Sequence, residues 1–174
     1  MKLIEILRDS NILKEDNLIE IDEAVLMKYS KKLSVSFVLD NAVDLATYNS
    51  LSNKIHEILK PLGINIEISI GYKNEELSNE EYFEYLKEIL KVLTSQSARF
   101  KALNVDDCKI NGNNITFLVA YDALGFESIL KPIADEFSKY GINVNLNIMQ
   151  DQNKSVQAQI NALDKQIDEA LDKQ

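Results

Sequence analysis

Apolar and polar residues alternate strictly in four segments of the chain, the mark of half-buried strands. Leu33, Val35, Phe37 and Leu39 form one set, and Ile64, Ile66, Ile68 and Ile70 the next. Ile115, Phe117, Val119 and Tyr121 form the third, and Ile142, Val144, Leu146 and Ile148 the fourth. Each set lines one face of a sheet and leaves the other face polar, so helices are expected on one side only. Two weaker strands, over 18–28 with a bulge near Glu23-Ala24 and over 105–110, each pair with their successor through a hairpin. The second turn, Asn111-Gly112-Asn113-Asn114, has residues that tolerate positive φ. The first, Tyr29-Ser30-Lys31-Lys32, is less diagnostic.

Helical spacing fills the gaps. Over 43–59, Leu45, Tyr48, Leu51, Ile55, Ile58 and Leu59 share one face. Ser78-Asn79-Glu80-Glu81 reads as a capping box ahead of the stripe Tyr82, Phe83, Leu86, Ile89, Leu90 and Leu93. The segment 122–140 contains Pro132, which a helix interior does not accept. It reads as a short helix, a break near Leu130-Lys131, and a longer helix with Pro132 in its first turn. Leu3, Ile4 and Leu7 suggest a short opening helix.

The pattern repeats. Leu62-Gly63-Ile64-Asn65-Ile66 matches Tyr140-Gly141-Ile142-Asn143-Val144, and each stretch follows an amphipathic helix. Gly63 and Gly141 suit the left-handed residue that ends a helix. Val35-Ser36-Phe37-Val38 likewise matches Ile115-Thr116-Phe117-Leu118. The expected fold is therefore α+β: two small αββαβ lobes, over 1–75 and 76–150, each with a three-stranded mixed sheet and a right-handed parallel crossover. Superposing 33–70 on 113–148 should align strand, helix and strand, with Phe37 and Phe117 as equivalent core residues. Beyond them, Val156, Ile160, Leu163, Ile167 and Ala170 follow a 4-3-4-3 spacing. Residues 151–174 thus read as an amphipathic helix or linker, too short for a stable coiled coil alone.

Composition narrows the function classes. With 19 Lys+Arg against 28 Asp+Glu the net charge is −9, which disfavours unaided, non-specific nucleic-acid binding. No apolar run approaches the length of a membrane helix, and the N-terminus meets charge too early for a secretory signal. One Cys and one His exclude a disulfide framework and a Cys/His zinc cluster, and they fit a reducing, cytoplasmic setting.

Catalytic candidates are few. His56 lies between Ile55 and Glu57 without a second His or a nucleophile at motif spacing, so it reads as a helix-surface residue. Cys108 reads as a small strand residue rather than a nucleophile. Asp106-Asp107 and Glu80-Glu81 are neighbours in sequence; along a strand such neighbours point to opposite faces, and Glu80-Glu81 suits a first helical turn. Phosphate-binding glycine motifs are absent. No catalytic residue, metal site or cofactor is expected.

Two local features bear on binding. The αββααβ order of the second lobe resembles a type II KH domain, whose G-x-x-G loop clamps a nucleic-acid backbone. The corresponding stretch, Gly125-Phe126-Glu127-Ser128, lacks the second Gly and carries an acid. Gly125 and Ser128, with Arg99 and Lys101, are candidates for a weak nucleic-acid contact at most. Lys28, Lys31 and Lys32 gather on the first hairpin, either as a solvated turn or as a docking feature.

The whole order of elements resembles the N-terminal region of PolC-type DNA polymerase III alpha subunits, the replicative polymerases of Gram-positive bacteria. The likeness rests on the Lys-rich turn Lys28-Tyr29-Ser30-Lys31-Lys32 leading into an alternating strand, the helix with Tyr48 and Leu51, and the isoleucine-rich strand. It continues through the pair around Ile110-Asn111-Gly112-Asn113 and the close Phe137-Ser138-Lys139-Tyr140-Gly141-Ile142. At Leu33 the family pattern leads one to expect Trp. The resemblance implies a fragment of a longer polypeptide whose polymerase, exonuclease and zinc-binding parts lie beyond Gln174. It implies a non-catalytic adaptor that docks on replisome proteins, with the clamp-loader tau subunit as the family's contact. A stand-alone KH-like RNA- or DNA-binding module is the alternative.

Overall fold

The computed structural model describes residues 3–119, 128–150, 160 and 163–171. Its first lobe runs α1 (Leu3–Asp9), β1 (Ile19–Met27), β2 (Lys32–Asn41), α2 (Leu45–Leu59) and β3 (Asn65–Asn74). The second runs α3 (Asn79–Gln96), β4 (Cys108–Asn111), β5 (Asn114–Val119), α4 (Leu130–Lys139) and β6 (Asn145–Gln150). The chain is thus α+β with two separate three-stranded mixed sheets, ordered β1-β2-β3 and β4-β5-β6. In each, the first pair is antiparallel and the second parallel, the strand order of a type II KH sheet. The first of the two helices expected after β5 lies outside the described residues. A further helical stretch, 163–171, is exposed throughout.

The repeat extends to register. Val35 faces Ile68 and Phe37 faces Ile70 across the parallel pair of the first sheet. Ile115 faces Leu146 and Phe117 faces Ile148 in the second. Both Phe side chains are 1% exposed, so the alternation assigns the core face correctly. Gly63 and Gly141 take φ of +66° and +78° before the closing strands. Asn65 and Asn145 then donate equivalent backbone bonds to Lys31 and Asn113, at 2.9 and 2.8 Å.

Three expectations need correction. The bulge in β1 falls between Ile21 and Glu23, one step earlier than Glu23-Ala24, and leaves Asp22 as the extra residue. Residues 105–107 form a 3-10 turn rather than strand, because Asn104 caps it by accepting from the Asp106 N–H at 3.0 Å. β3 begins at Asn65 and β6 at Asn145, so Ile64, Ile142 and Val144 precede their strands; Ile66 and Ile68 are half-buried against the first core and Ile70 is fully buried. The capping box is present as read: Ser78 Oγ accepts from Glu81 N, and Glu81 Oε1 accepts from Ser78 N. Pro132 lies in the first turn of α4.

The two lobes have distinct cores, one around Leu7, Phe37, Leu51 and Ile55, the other around Leu86, Ile89, Phe117 and Phe137. Tyr72, on β3, packs against both. Tyrosines build the seam: Tyr140 stacks edge-on with Tyr48 and Tyr85 at centroid distances of 4.9 and 5.2 Å. The Tyr85 hydroxyl donates to the Val43 carbonyl at 2.6 Å, and Tyr48 donates to the Lys139 carbonyl at 3.3 Å. Asn143 adds a hydrogen bond to Glu75 at 3.0 Å. Burial first, then neighbouring phenols for Tyr48, Tyr72 and Tyr85 and the Glu88 and Glu136 carboxylates for Tyr140, raise these groups above the usual tyrosine range.

Candidate docking surfaces

The β1–β2 hairpin is the most exposed feature of the first lobe. All residues over 21–30 are exposed, and Tyr29 is fully so. Lys31 holds φ at +50°, the left-handed turn conformation that lets the strands reverse without a glycine. The three lysines of the hairpin do not act alike. Lys32 Nζ lies 2.8 Å from Glu67 on β3. Glu67 also accepts from Ser34 Oγ at 3.2 Å, and Lys32 and Ser34 together hold its carboxyl below the ordinary range. Lys28 and Lys31 have no ion pair among the described residues and are the charges the hairpin offers to solvent.

The open face of the first sheet is closed by charge. Besides Lys32 and Glu67, Lys73 Nζ lies 3.4 Å from Asp40 and 3.9 Å from Glu20. Opposite charges answer each other across three strands, while Val25 and Met27 stay exposed at the β1 edge of this face. The open face of the second sheet is amide-rich instead: Asn114, Thr116, Asn145 and Asn147, with an Asn145–Asn114 bond at 3.3 Å and Met149 exposed at one corner.

The candidates for a nucleic-acid contact do not make a clamp. Arg99 is exposed with its guanidinium 5.0 Å from the centroid of the Phe100 ring. It lies in the 3-10 turn Ala98–Ala102 with Lys101. Ser128 is exposed just ahead of α4, and Gly125 lies outside the described residues.

A cleft of about 620 Å³ opens beside the N-terminus of α2, lined by Lys14, Asp16, Asn17, Asn41, Asp44 and Glu81 among others. Three of these polar residues have internal work. Asn17 and Asn41 exchange bonds, Asn41 N donating to Asn17 Oδ1 at 2.8 Å and Asn17 Nδ2 to the Asn41 carbonyl at 2.9 Å. Glu81 serves the capping box. Among the described residues no three His, Cys, Asp or Glu side chains are grouped to hold a metal ion. His56 is exposed on α2. The Cys108 thiol donates to the Val105 carbonyl at 2.9 Å; burial, then Asp106 and Asp107, raise its pKa, the reverse of what a nucleophile needs.

Sequence reading found the hairpin but not its internal division, since Lys32 meets Glu67 only through a parallel register. It also missed Tyr85, absent from the expected apolar stripe of α3 yet fully buried against the first lobe. The available signal was the run Tyr82, Tyr85, Leu86, Ile89, whose spacing continues the same helix face. No described helix is long and apolar enough to cross a membrane. No family model, curated protein or solved structure matches this chain.

Proposed function

We propose that this chain is a non-catalytic adaptor region of a PolC-type replicative DNA polymerase, working in the cytoplasm by docking on replisome proteins. The clamp-loader tau subunit is the partner the resemblance implies. The observation that carries the reading is the hairpin. It projects from an acidic protein of net charge −9 with two free lysines, Lys28 and Lys31, beside exposed Leu26, Met27 and Tyr29. A basic, partly apolar tip on an acidic body fits a protein surface better than a polyanion, because two lysines neutralise few phosphates. The internal division of the hairpin changes the natural test. Lys32→Glu would set two carboxylates together, so the informative pair is Lys28→Glu with Lys31→Glu. That variant is expected to bind the tau subunit at least about tenfold more weakly by calorimetry, a loss of about 1.4 kcal/mol, with its circular dichroism unchanged.

The KH-like reading draws on the second sheet's strand order and its amide-rich open face. The same titrations decide it. Oligonucleotide binding at physiological salt that falls steeply as salt rises would put the nucleic-acid module ahead of the adaptor.

A further inference from the structure

β1 is the outer strand of the first sheet: β2 lies on one side, and no described strand lies on the other. Alternate backbone N–H and C=O groups therefore point outward along it, an arrangement natural proteins blunt with charge, bulges or cover. The first half of β1 is blunted in this way, by Glu20, Asp22, Glu23 and the bulge between Ile21 and Glu23. The second half is not. Val25, Leu26 and Met27 are 40%, 54% and 48% exposed, and they run without irregularity opposite Ser34, Leu33 and Lys32.

We propose that this second half of β1 pairs antiparallel with the same segment of a second copy, about a two-fold axis at Leu26. The two first sheets then become one six-stranded sheet. The inference goes beyond the adaptor reading and does not rest on it. Two features select a second copy as the occupant. A two-fold perpendicular to the sheet keeps like faces together, so each residue must meet one from its own face. Ala24 and Leu26 stand opposite the core-facing Val35 and Leu33 of β2, while Val25 and Met27 stand opposite Ser34 and Lys32. With Leu26 facing itself, Val25 faces Met27 and Met27 faces Val25, so apolar meets apolar at all three positions. The strand is also charge-polarised, with Glu20, Asp22 and Glu23 at its start and Lys28 and Lys31 after its end. Antiparallel pairing lays the acidic start of one copy beside the free lysines of the other; a parallel approach would set acid against acid.

The contact is small. A pairing over Val25, Leu26 and Met27, the strand residues on both sides of the axis, buries well under the roughly 1,200 Å² of a stable complex, so the dimer is weak and concentration-dependent. Sedimentation of the full chain from micromolar to millimolar concentration, with no partner present, is expected to show a reversible rise from one chain toward two. Leu26→Lys places two ammonium groups face to face at the axis and should weaken association at least tenfold, with circular dichroism unchanged. Leu26 also lies on the proposed docking tip, so association is measured with no partner present, and its loss in this variant bears on the dimer alone.

Crosslinking reports the register. Directly opposed antiparallel residues have Cα atoms about 4.5–5.5 Å apart, inside the disulfide range. In a Cys108→Ser background, Leu26→Cys should form a disulfide-linked dimer under mild oxidation. Val25→Cys and Met27→Cys should do so only when mixed with each other. A mass that stays at one chain at every concentration overturns the proposal. So does a dimer indifferent to Leu26→Lys, which would place association elsewhere, such as the exposed stripe Ile160, Leu163 and Ile167. Failure of Leu26→Cys to crosslink would overturn it equally.

Discussion

Gly63 and Gly141 hold the same place in their lobes and nearly the same left-handed φ, yet their surroundings differ. A Cβ on Gly63 would meet nothing within 4 Å, whereas one on Gly141 would stand 2.2 Å from the Ile70 carbonyl oxygen and 3.2 Å from the Tyr72 ring. Gly63→Ala should therefore cost only the backbone penalty, about 1–2 kcal/mol. Gly141→Ala adds a collision with the backbone of the other lobe, which cannot rotate away, and should cost at least about 3 kcal/mol by urea unfolding. Equal losses would mean that the lobes do not meet at Gly141. Two tyrosines of the seam differ in a similar way. The Tyr72 hydroxyl is buried near Tyr48 and Tyr85 but makes no hydrogen bond of good geometry, while Tyr85 donates to Val43. Tyr72→Phe removes a desolvated hydroxyl that has no well-formed hydrogen bond among the described residues and is expected to leave stability unchanged or raise it by about 1 kcal/mol. Tyr85→Phe strands the Val43 carbonyl and should cost about 1–3 kcal/mol.

Strands and helices were legible where burial is one-sided. Period-two alternation located β2, β3, β5 and β6 because each keeps one face against helices, and Ser78-x-x-Glu81 announced α3 through its own caps. What sequence could not give were features set by distant partners. The 3-10 turn at 105–107 depends on the Asn104 cap, the position of the β1 bulge on the pairing with β2, and the Lys32–Glu67 pair on parallel register. The candidate surface was legible to the same extent: the hairpin lysines were visible, but not which of them the fold had already used. Phe37 and Phe117 test the one-sided burial directly, being fully buried at equivalent ladder positions. Truncation of either to Ala should cost roughly 3–5 kcal/mol, a large share of the stability of a domain this size. A melting temperature unmoved by Phe37→Ala would show that the strand faces solvent where the structure buries it.

At the scale of the whole molecule, the question is whether two lobes with separate cores unfold together. The seam joining them is made largely of tyrosines from α2, β3, α3 and the end of α4, and it titrates. The phenols of Tyr48, Tyr72, Tyr85 and Tyr140 are all raised, with burial the first cause in each. An unfolded tyrosine ionises near about pH 10. Below that pH both states hold their protons, and the seam contributes its full stability with no pH dependence. Above it the unfolded chain releases protons that the folded chain keeps, so ionisation favours unfolding and stability falls as pH rises toward the folded values. Each raised phenol adds up to about 1.4 kcal/mol per pH unit to that slope. Lysine deprotonation and the general negative charge also destabilise at high pH, so the diagnostic quantity is a difference between variants. In a Cys108→Ser background, which removes the raised thiol that would titrate earlier, stability measured by urea from pH 8 to 11.5 is expected to hold level to about pH 10 and then decline. In Tyr72→Phe, which keeps the ring and removes one titrating group, the decline should be shallower while the plateau is undiminished. Because the seam belongs to both lobes, the two should lose structure in a single transition across this range. Parallel slopes in the two proteins, or two separate transitions below pH 10, would mean that the tyrosines merely lie between the lobes and do not couple them.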